Sequence, residues 1–195
     1  MASRGRPRSF DREKALERLM EVFWSKGYEG TQIGDLTSAI NIGPPSFYAA
    51  FGSKEAAFLE AVDLYIATVG SRPMRALADS PTAREGIREM LRGSVDVALS
   101  AKPGGCMLIL GVVNCLPASG PARDCLMAAR RKTVDHIRAR LRRGIEDGAL
   151  PEDTETDRLA AFYHGVMQAI SLQAHDGATR PELEALIEPA MAALP

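Results

Sequence analysis

Apolar side chains return every third or fourth residue along nearly the whole chain, and no other feature constrains the fold as much. Leu16, Leu19, Met20 and Phe23 fall at i, i+3, i+4 and i+7, the stripe of a helix with one buried face. Phe58, Val62, Tyr65 and Ile66 repeat the spacing, as do Val134, Ile137, Leu141 and Ile145. The chain closes on Leu183, Leu186, Ile187, Ala190, Met191 and Leu194. No stretch sustains the period-two alternation of a half-buried strand. Capping boxes at Thr82/Glu85 and Thr179/Glu182, with a weaker Asp version at Thr154/Asp157, mark helix starts. In each, the hydroxyl can accept an orphan N–H while the carboxylate reaches back to the cap. Gly27, Gly52, Gly148 and Gly177 are placed to end helices in a left-handed turn. Together these signals predict about nine helices, roughly 11–27, 31–39, 44–51, 54–78, 82–101, 105–116, 120–147, 155–176 and 180–194. The run 105–116 could be a buried strand on periodicity alone, but no other segment could pair with it. The fold class is all-α.

Composition narrows the function. The 195 residues carry 24 basic against 25 acidic side chains and are 46% hydrophobic, an ordinary globular balance for one domain or two small ones. Only Met1 and Phe10 are large and apolar among the first fifteen residues, so no signal segment is expected. The longest apolar run, Cys106 to Leu116, is too short to span a bilayer. Cys106, Cys115 and Cys125 form neither a CxxC pair nor an even disulfide set, which points to a reducing cytoplasm. His136, His164 and His175 make no HxxxH pair, so neither a metal nor a cofactor is expected. The chain has no Gly-rich phosphate loop and no GxSxG, and an enzyme is not the reading.

The organisation changes near residue 54, with short helices and Gly/Pro/Asn loops before it and long helices after. Residues 1–54 hold 8 basic and 6 acidic side chains, and residues 55–195 hold 16 and 19. The sign suits a nucleic-acid head on a neutral body, although the asymmetry is small. In the head, Thr31 is a good N-cap for a helix whose face is Ile33, Leu36 and Ile40. Asn41 tolerates the left-handed conformation. Gly43, Pro44 and Pro45 suit the first turn of a second helix, which Phe47 and Phe51 would bury against the first. Two short helices joined by such a turn form a helix-turn-helix, whose second helix can enter the major groove.

These residues resemble the N-terminal domain of the TetR/AcrR family of bacterial transcriptional regulators. The resemblance rests on Phe23, Gly27, Tyr28, Thr31, Ile33, Leu36, Ile42, Tyr48, Phe51, Lys54 and Phe58, in register over about sixty residues. It implies residues 1–54 as a DNA-binding domain and 55–195 as a helical ligand-binding and dimerisation domain. It further implies a homodimer on a near-palindromic operator, released by a small-molecule effector. Thr31, Tyr48 and Lys54 are then expected to meet phosphates. Arg4, Arg6 and Arg8, spaced through a Gly/Pro arm, are expected in a narrow minor groove. Alternatively, Thr31 is only a cap, Tyr48 only core, and the arm a solvating tail. The sequence departs from the family pattern at Asn41, where glycine is usual, and at Ala50, where an aromatic is common. The second helix offers no Arg, Asn or Gln for bidentate base contacts. Sparse readout by Gln32, Ser46 and the rings of Pro44 and Pro45 against thymine methyls is therefore expected.

In the body, the resemblance assigns a dimer face to the last two helices, through Leu159, Val166, Ile170, Leu183, Leu186, Ile187, Ala190 and Met191, side chains that individually could instead belong to an internal core. An effector pocket is expected among Tyr65, Met90, Cys106, Leu110, Met127, Phe162, Tyr163 and Met167, side chains that alternatively fill a core. Cys106 follows Gly104-Gly105 at a predicted helix start, where backbone N–H groups favour thiolate. The resembling subfamily includes regulators that sense electrophiles or oxidants through a cysteine in a similar motif, so a thiol switch at Cys106 is the alternative function. No basic partner for it is identifiable from sequence. The basic run Arg130, Arg131, Lys132, Arg138, Arg140, Arg142 and Arg143 reads mostly as a solvated face.

Overall fold

A computed structural model describes residues 11–100, 104–113, 116 and 119–195, with the side chains of 112 and 113 excepted. Arg4, Arg6, Arg8 and Cys115 lie outside the described residues. The described residues form eleven helical segments and no strand: α1 (Arg12–Gly30), α2 (Ile33–Ile40), α3 (Pro44–Phe51), α4 (Lys54–Ala67), α5 (Ser71–Asp79), α6 (Ala83–Leu99), α7 (Met107–Val113), α8 (Gly120–Glu146), α9 (Thr156–His175), α10 (Arg180–Glu184) and α11 (Ile187–Met191). The all-α reading holds. Two of the expected helices are broken, each at a proline that cannot continue the preceding turn.

The run expected as 54–78 divides into α4 and α5. A continuous helix would set the Pro73 ring against the carbonyl four residues back. Instead the chain leaves α4 at Thr68 (φ −113°, ψ −95°) and restarts with Pro73 in the first turn of α5. Gly70 donates its N–H to the Tyr65 carbonyl at 2.8 Å across the break. In the same way Pro189 divides 180–194 into α10 and α11.

Most of the expected caps and stops are present. Glu85 donates its N–H to Thr82 Oγ1 at 3.1 Å, and Thr179 donates its N–H to Glu182 Oε2 at 2.7 Å. Gly27, Gly52, Gly148, Gly177 and Asn41 all have positive φ. The Thr154/Asp157 box does not form: Thr154 turns back to the Pro151 carbonyl, and Asp157 pairs with Arg138. Thr31 likewise is not the N-cap of α2. It closes α1 with its hydroxyl donating to the Gly27 carbonyl at 2.6 Å, while Gln32 takes the cap position and receives the Asp35 carboxylate at its N–H.

Two apolar clusters organise the chain. The first joins α1 to α4 through Leu19, Phe23, Leu36, Phe47, Phe51, Phe58 and Tyr65, and continues into Met107 of α7 and Leu126 of α8. Phe23 and Tyr28 both meet the Phe58 ring edge-on, at 5.1 and 5.0 Å. Arg12 fastens this cluster from outside: it grips Glu60 through Nη2, donates Nε to the Ala50 carbonyl at 3.2 Å, and lies over the Phe51 ring. The second cluster packs α6 against α5, α8, α9, α10 and α11 through Ile87, Met90, Leu91, Ile137, Leu141, Tyr163 and Ile170.

Gly70 gives a test of the α4–α5 break. Its backbone angles (φ −69°, ψ −16°) suit any residue, so alanine there would ordinarily stabilise by limiting the unfolded chain. A Cβ at this position would, however, stand 2.6 Å from the Tyr65 ring. Gly70→Ala is therefore expected to lower stability by about 1–3 kcal/mol through overpacking, read as a lower midpoint in urea unfolding. An unchanged or higher midpoint would show that Tyr65 can move aside.

Candidate functional site

Two places combine exposed or cavity-facing polar groups with a rigid frame: the outer face of α2 and α3, and a cavity beneath α4.

On the first, burial sorts the helix-turn-helix residues cleanly. Leu36, Phe47 and Phe51 are inside, whereas Gln32, Gly43, Pro44, Pro45, Ser46, Tyr48 and Ala49 are exposed. Asn41 makes the turn in the left-handed conformation (φ 53°, ψ 49°) and its N–H returns to the carbonyls of Ser38 and Thr37. Gly43 caps α3 and the two prolines fill its first positions, leaving Ser46 and Tyr48 on the outer surface. Tyr48 is 48% exposed and rests edge-on against Phe47. It is therefore surface and not core, so its hydroxyl is free to meet a phosphate. Lys54 opens α4 with its Nζ 4.3 Å from the Tyr28 ring centroid, a hold on the cation that leaves its hydrogens to other acceptors. Thr31 differs from both. It is 1% exposed and its proton is committed to Gly27, so the side chain offers a phosphate no free donor in this conformation.

The second site is built around the turn Gly104–Gly105–Cys106. Trp24 of α1 donates its indole N–H to the Gly105 carbonyl at 2.9 Å, and Gly105 donates to the Ala98 carbonyl of α6 at 2.7 Å. Cys106 donates its N–H to Ser171 Oγ of α9 at 2.7 Å. Both glycines are demanded by this convergence. A Cβ on Gly104 would come within 2.9 Å of the carbonyl oxygens of Ala174 and Ala98, and Gly105 has φ +106°. Tyr65, fully buried on α4, donates its hydroxyl to Cys106 Sγ at 3.2 Å and packs edge-on against Trp24 at 4.9 Å.

Behind this turn lies a cavity of about 40 Å³, walled by Tyr65, Met74, Cys106, Leu108, Arg130, His164, Met167 and Ser171, among others. That is room for about three waters. Arg130 of α8 has no ion pair or hydrogen bond among the described residues. It is the basic neighbour of Cys106, some 24 positions away in the chain, where sequence spacing could not reveal it. The Cys106 thiol is pushed up, not down, because burial outweighs the Tyr65 hydroxyl, the N–H groups of Leu108 and Ile109, and Arg130, all of which favour thiolate. Burial also raises Tyr65 well above the ordinary tyrosine range, and it lowers His164, with Arg130 adding to the effect.

Of the expected pocket residues, Tyr65, Cys106 and Met167 line this cavity. Met90 and Tyr163 do not: both are fully buried in the second cluster, with the Tyr163 hydroxyl directed to the Ala190 carbonyl at 3.3 Å. Leu110 packs over Gly105 instead, and Met127 lies in a shallow depression on the outer side of α8. Phe162 is 43% exposed on α9, away from the cavity. The residues expected at the dimer face divide by burial. Ile170, Leu183, Ile187, Ala190 and Met191 are spent inside the protomer, and Leu159, Val166 and Leu186 are half-buried against them. The exposed apolar side of α9 carries Phe162 and, one further face-length along, Leu172 at 52% exposure. Nor is the basic run a uniform solvated face, since Arg130 lines the cavity and Arg140 is 6% exposed.

Comparison with known proteins agrees with this geometry. Residues 15–61 match the family described as bacterial regulatory proteins, tetR family, and residues 76–187 match the tetracyclin repressor-like C-terminal domain. A cysteine variant of the TetR family transcriptional regulator CifR, solved with a 26-base-pair double-strand operator DNA, is 45% identical and superposes with a TM-score of 0.92 over 97% of this chain and 100% of that one. The Escherichia coli transcriptional repressor ComR is 29% identical over 183 residues, covering 93% of this chain and 87% of the relative. The Escherichia coli repressor BdcR is 28% identical over 178 residues, covering 89% and 83%. Among the described residues no helix is long and apolar enough to cross a membrane. With its helix-turn-helix face, its buried turn and both halves of its sequence matched, the chain belongs to the TetR family of bacterial transcriptional regulators.

Proposed function

We propose that this protein is a cytoplasmic repressor, not an enzyme, that binds a near-palindromic operator as a homodimer and leaves it when a small molecule occupies the cavity. The observation that carries the reading is the contiguous exposed face of Gln32, Pro44, Pro45, Ser46 and Tyr48, flanked by Lys54, on a rigidly packed pair of short helices. CifR, with which the chain shares most of its fold, was solved on operator DNA. Readout on this face is sparse: Tyr48 and Lys54 fix position on phosphates, Gln32 and Ser46 reach base edges, and the proline rings touch thymine methyls. The arm at Arg4, Arg6 and Arg8 adds minor-groove contacts.

Operator duplexes selected from a random pool provide the test. Selection is expected to return two half-sites about one DNA turn apart. Lys54→Gln should weaken binding to all duplexes alike and reduce the slope of log affinity against log salt by about one. Gln32→Ala should instead relax selectivity at one base position. A pool that yields no paired half-sites would remove the operator reading.

The dimer face in this reading is the exposed side of α9, where Phe162 and Leu172 stand clear of the protomer's own core. A two-fold interface places the same strip on both partners, which spaces the two reading faces for a palindrome. Phe162→Glu with Leu172→Glu is expected to give a folded monomer by sedimentation, since both side chains reach the surface of α9. A dimer that survives both charges rules the strip out.

A second reading, a thiol switch at Cys106, is favoured by the position of its sulfur on the cavity wall beside Tyr65 and Arg130. Burial keeps the group a thiol at neutral pH, so such a switch relies on the cavity to concentrate and orient the electrophile. In a protein with Cys115 and Cys125 changed to serine, the rate of iodoacetamide labelling at Cys106 is expected to keep rising above the ordinary thiol range. A plateau near neutral pH would show a stabilised thiolate. Release of a Cys106→Ser protein from its operator by a quinone would exclude the switch.

A further inference from the structure

Outside the cavity, between α5 and α8, runs an open groove of about 740 Å³. It shares Gly70, Met74, Leu108 and Thr133 with the cavity, so those four residues are the partition between the two spaces. The groove carries four cations, Arg75, Lys132, Arg140 and Arg143, against two carboxylates, Asp63 and Asp79. Among the described residues Arg75 and Lys132 make no ion pair, and Arg143 meets Asp147 only at 3.6 Å with both side chains exposed. Arg140 is set deeper. Its Nη2 donates to the Ser80 carbonyl at 3.1 Å, but Nε and Nη1 are buried without an acceptor. A guanidinium in that condition is costly, and Arg143 adds repulsion to the cost of burial. An anion in the groove offsets the repulsion between Arg140 and Arg143, while Nε and Nη1 stay enclosed by the protein. The remaining walls are largely apolar, through Ile66, Leu77 and Ala129, with Ser71, Thr133 and His136 as the polar exceptions, and Met74 in the partition is a side chain that repacks easily.

We propose that this groove holds the acid head of an amphipathic organic anion whose apolar end passes Met74 and Leu108 into the cavity. Its regulatory meaning rests on the effector reading above; the binding site itself does not. The ligand class follows from the order of the surfaces: unpaired cations on the rim, apolar walls below, and a small apolar chamber beyond a flexible partition. A simple inorganic anion would use only the first of these, and a neutral apolar molecule only the last. The competing role for Arg140 is purely structural, as a cation set against the C-terminal carbonyls of α5.

The experiment uses the full-length protein with four probes: decanoate, 1-decanol, decanoyl-coenzyme A and inorganic phosphate. Binding is followed by calorimetry and by emission of Trp24, the single tryptophan, whose indole touches the Gly105 carbonyl beside the cavity. Decanoate is expected to bind at least about tenfold tighter than decanol, the worth of one or two charge-assisted contacts. Lys132→Gln with Arg143→Gln, both exposed and outside the core, should remove most of that difference and leave decanol binding unchanged. Decanoyl-coenzyme A binding tighter than decanoate assigns the larger head to the groove, and the reverse order assigns the free carboxylate; either supports the proposal. Equal binding of decanoate and decanol, phosphate binding as tightly as decanoate, an unaffected double variant, or no binding of any probe overturns it. If decanoate binds as expected but the protein stays on its operator, the groove stands and the effector reading falls.

Discussion

The turn Gly104–Gly105–Cys106 is the point on which the rest of the molecule depends. Four helices send a hydrogen-bonding group to it or receive one from it: α1 through Trp24, α6 through Ala98, α9 through Ser171 and His175, and α4 through Tyr65. Backbone groups buried this deeply must be paired, and here almost every partner comes from a different element. Helices can converge so closely only because two successive residues lack a Cβ. Gly104 lets the carbonyls of Ala98 and Ala174 approach, and Gly105 takes a positive φ that turns the chain into α7. The apolar clusters supply most of the stability, but this turn sets how they are placed relative to one another.

That placement joins the DNA-reading face to the cavity by a short physical route. Trp24 and Tyr65 belong to α1 and α4, the helices that hold α2 and α3 in position, and both touch the turn that walls the cavity. Glu29 provides a second tie, accepting from the Leu116 N–H and the Ser119 hydroxyl ahead of α8, which hold its carboxyl below the ordinary range. A molecule that enlarges the 40 Å³ chamber on the side of the turn displaces Tyr65, Cys106, Leu108 or Met74. Tyr65 lies on α4, which packs directly against α3, and Met74 and Leu108 lie on α5 and α7, which pack against α4. The break at Thr68–Gly70 gives the lower part of the α4 run a place to shift without unwinding it. Coupling of this kind requires that the ligand favour one arrangement over the other, which the chamber can provide only if its shape changes with the turn.

Much of this was legible in the amino-acid sequence, and the failures have physical causes. Caps at Thr82 and Thr179, the stops at five positive-φ residues and the split of α3 into buried phenylalanines and exposed small residues all depend on neighbours within four positions. Local chemistry decides such features. Pro73 and Pro189 carried an equally local signal for the two breaks, but strong apolar periodicity on both sides masked it. Thr31 was misplaced because a threonine at a helix junction can serve either neighbour, and only the approach of Gly27 selects the first. Arg130 and Arg140 could not be separated from the solvated cations beside them, because their surroundings come from α5, α7 and α9. The same applies to α9, where Ile170 and Phe162 are equally apolar in sequence and only packing sends one inward and the other outward.

The distribution of charge that results explains why a near-neutral protein can suit a switchable DNA-binding role. Helices α2 and α3 contain no lysine or arginine, and four head cations are already paired, Arg12 with Glu60, Lys14 with Asp11, Arg18 with Glu21 and Lys26 with Asp35. Lys54 is thus the principal cation beside the reading face, held over Tyr28 and near Glu29. Non-specific attraction to DNA scales with the number of phosphates neutralised, so the helical part of the head, without its arm of Arg4, Arg6 and Arg8, draws little affinity from that source. What remains comes from fit: the spacing of two faces across a dimer and the few polar and apolar contacts each face makes. Affinity of that origin falls steeply when the faces are moved a small distance, whereas a strongly basic surface would stay bound through its charge alone. The described cations of the body lie on α5, α6, α8, α9 and α10, and none stands on the two helices of the reading face.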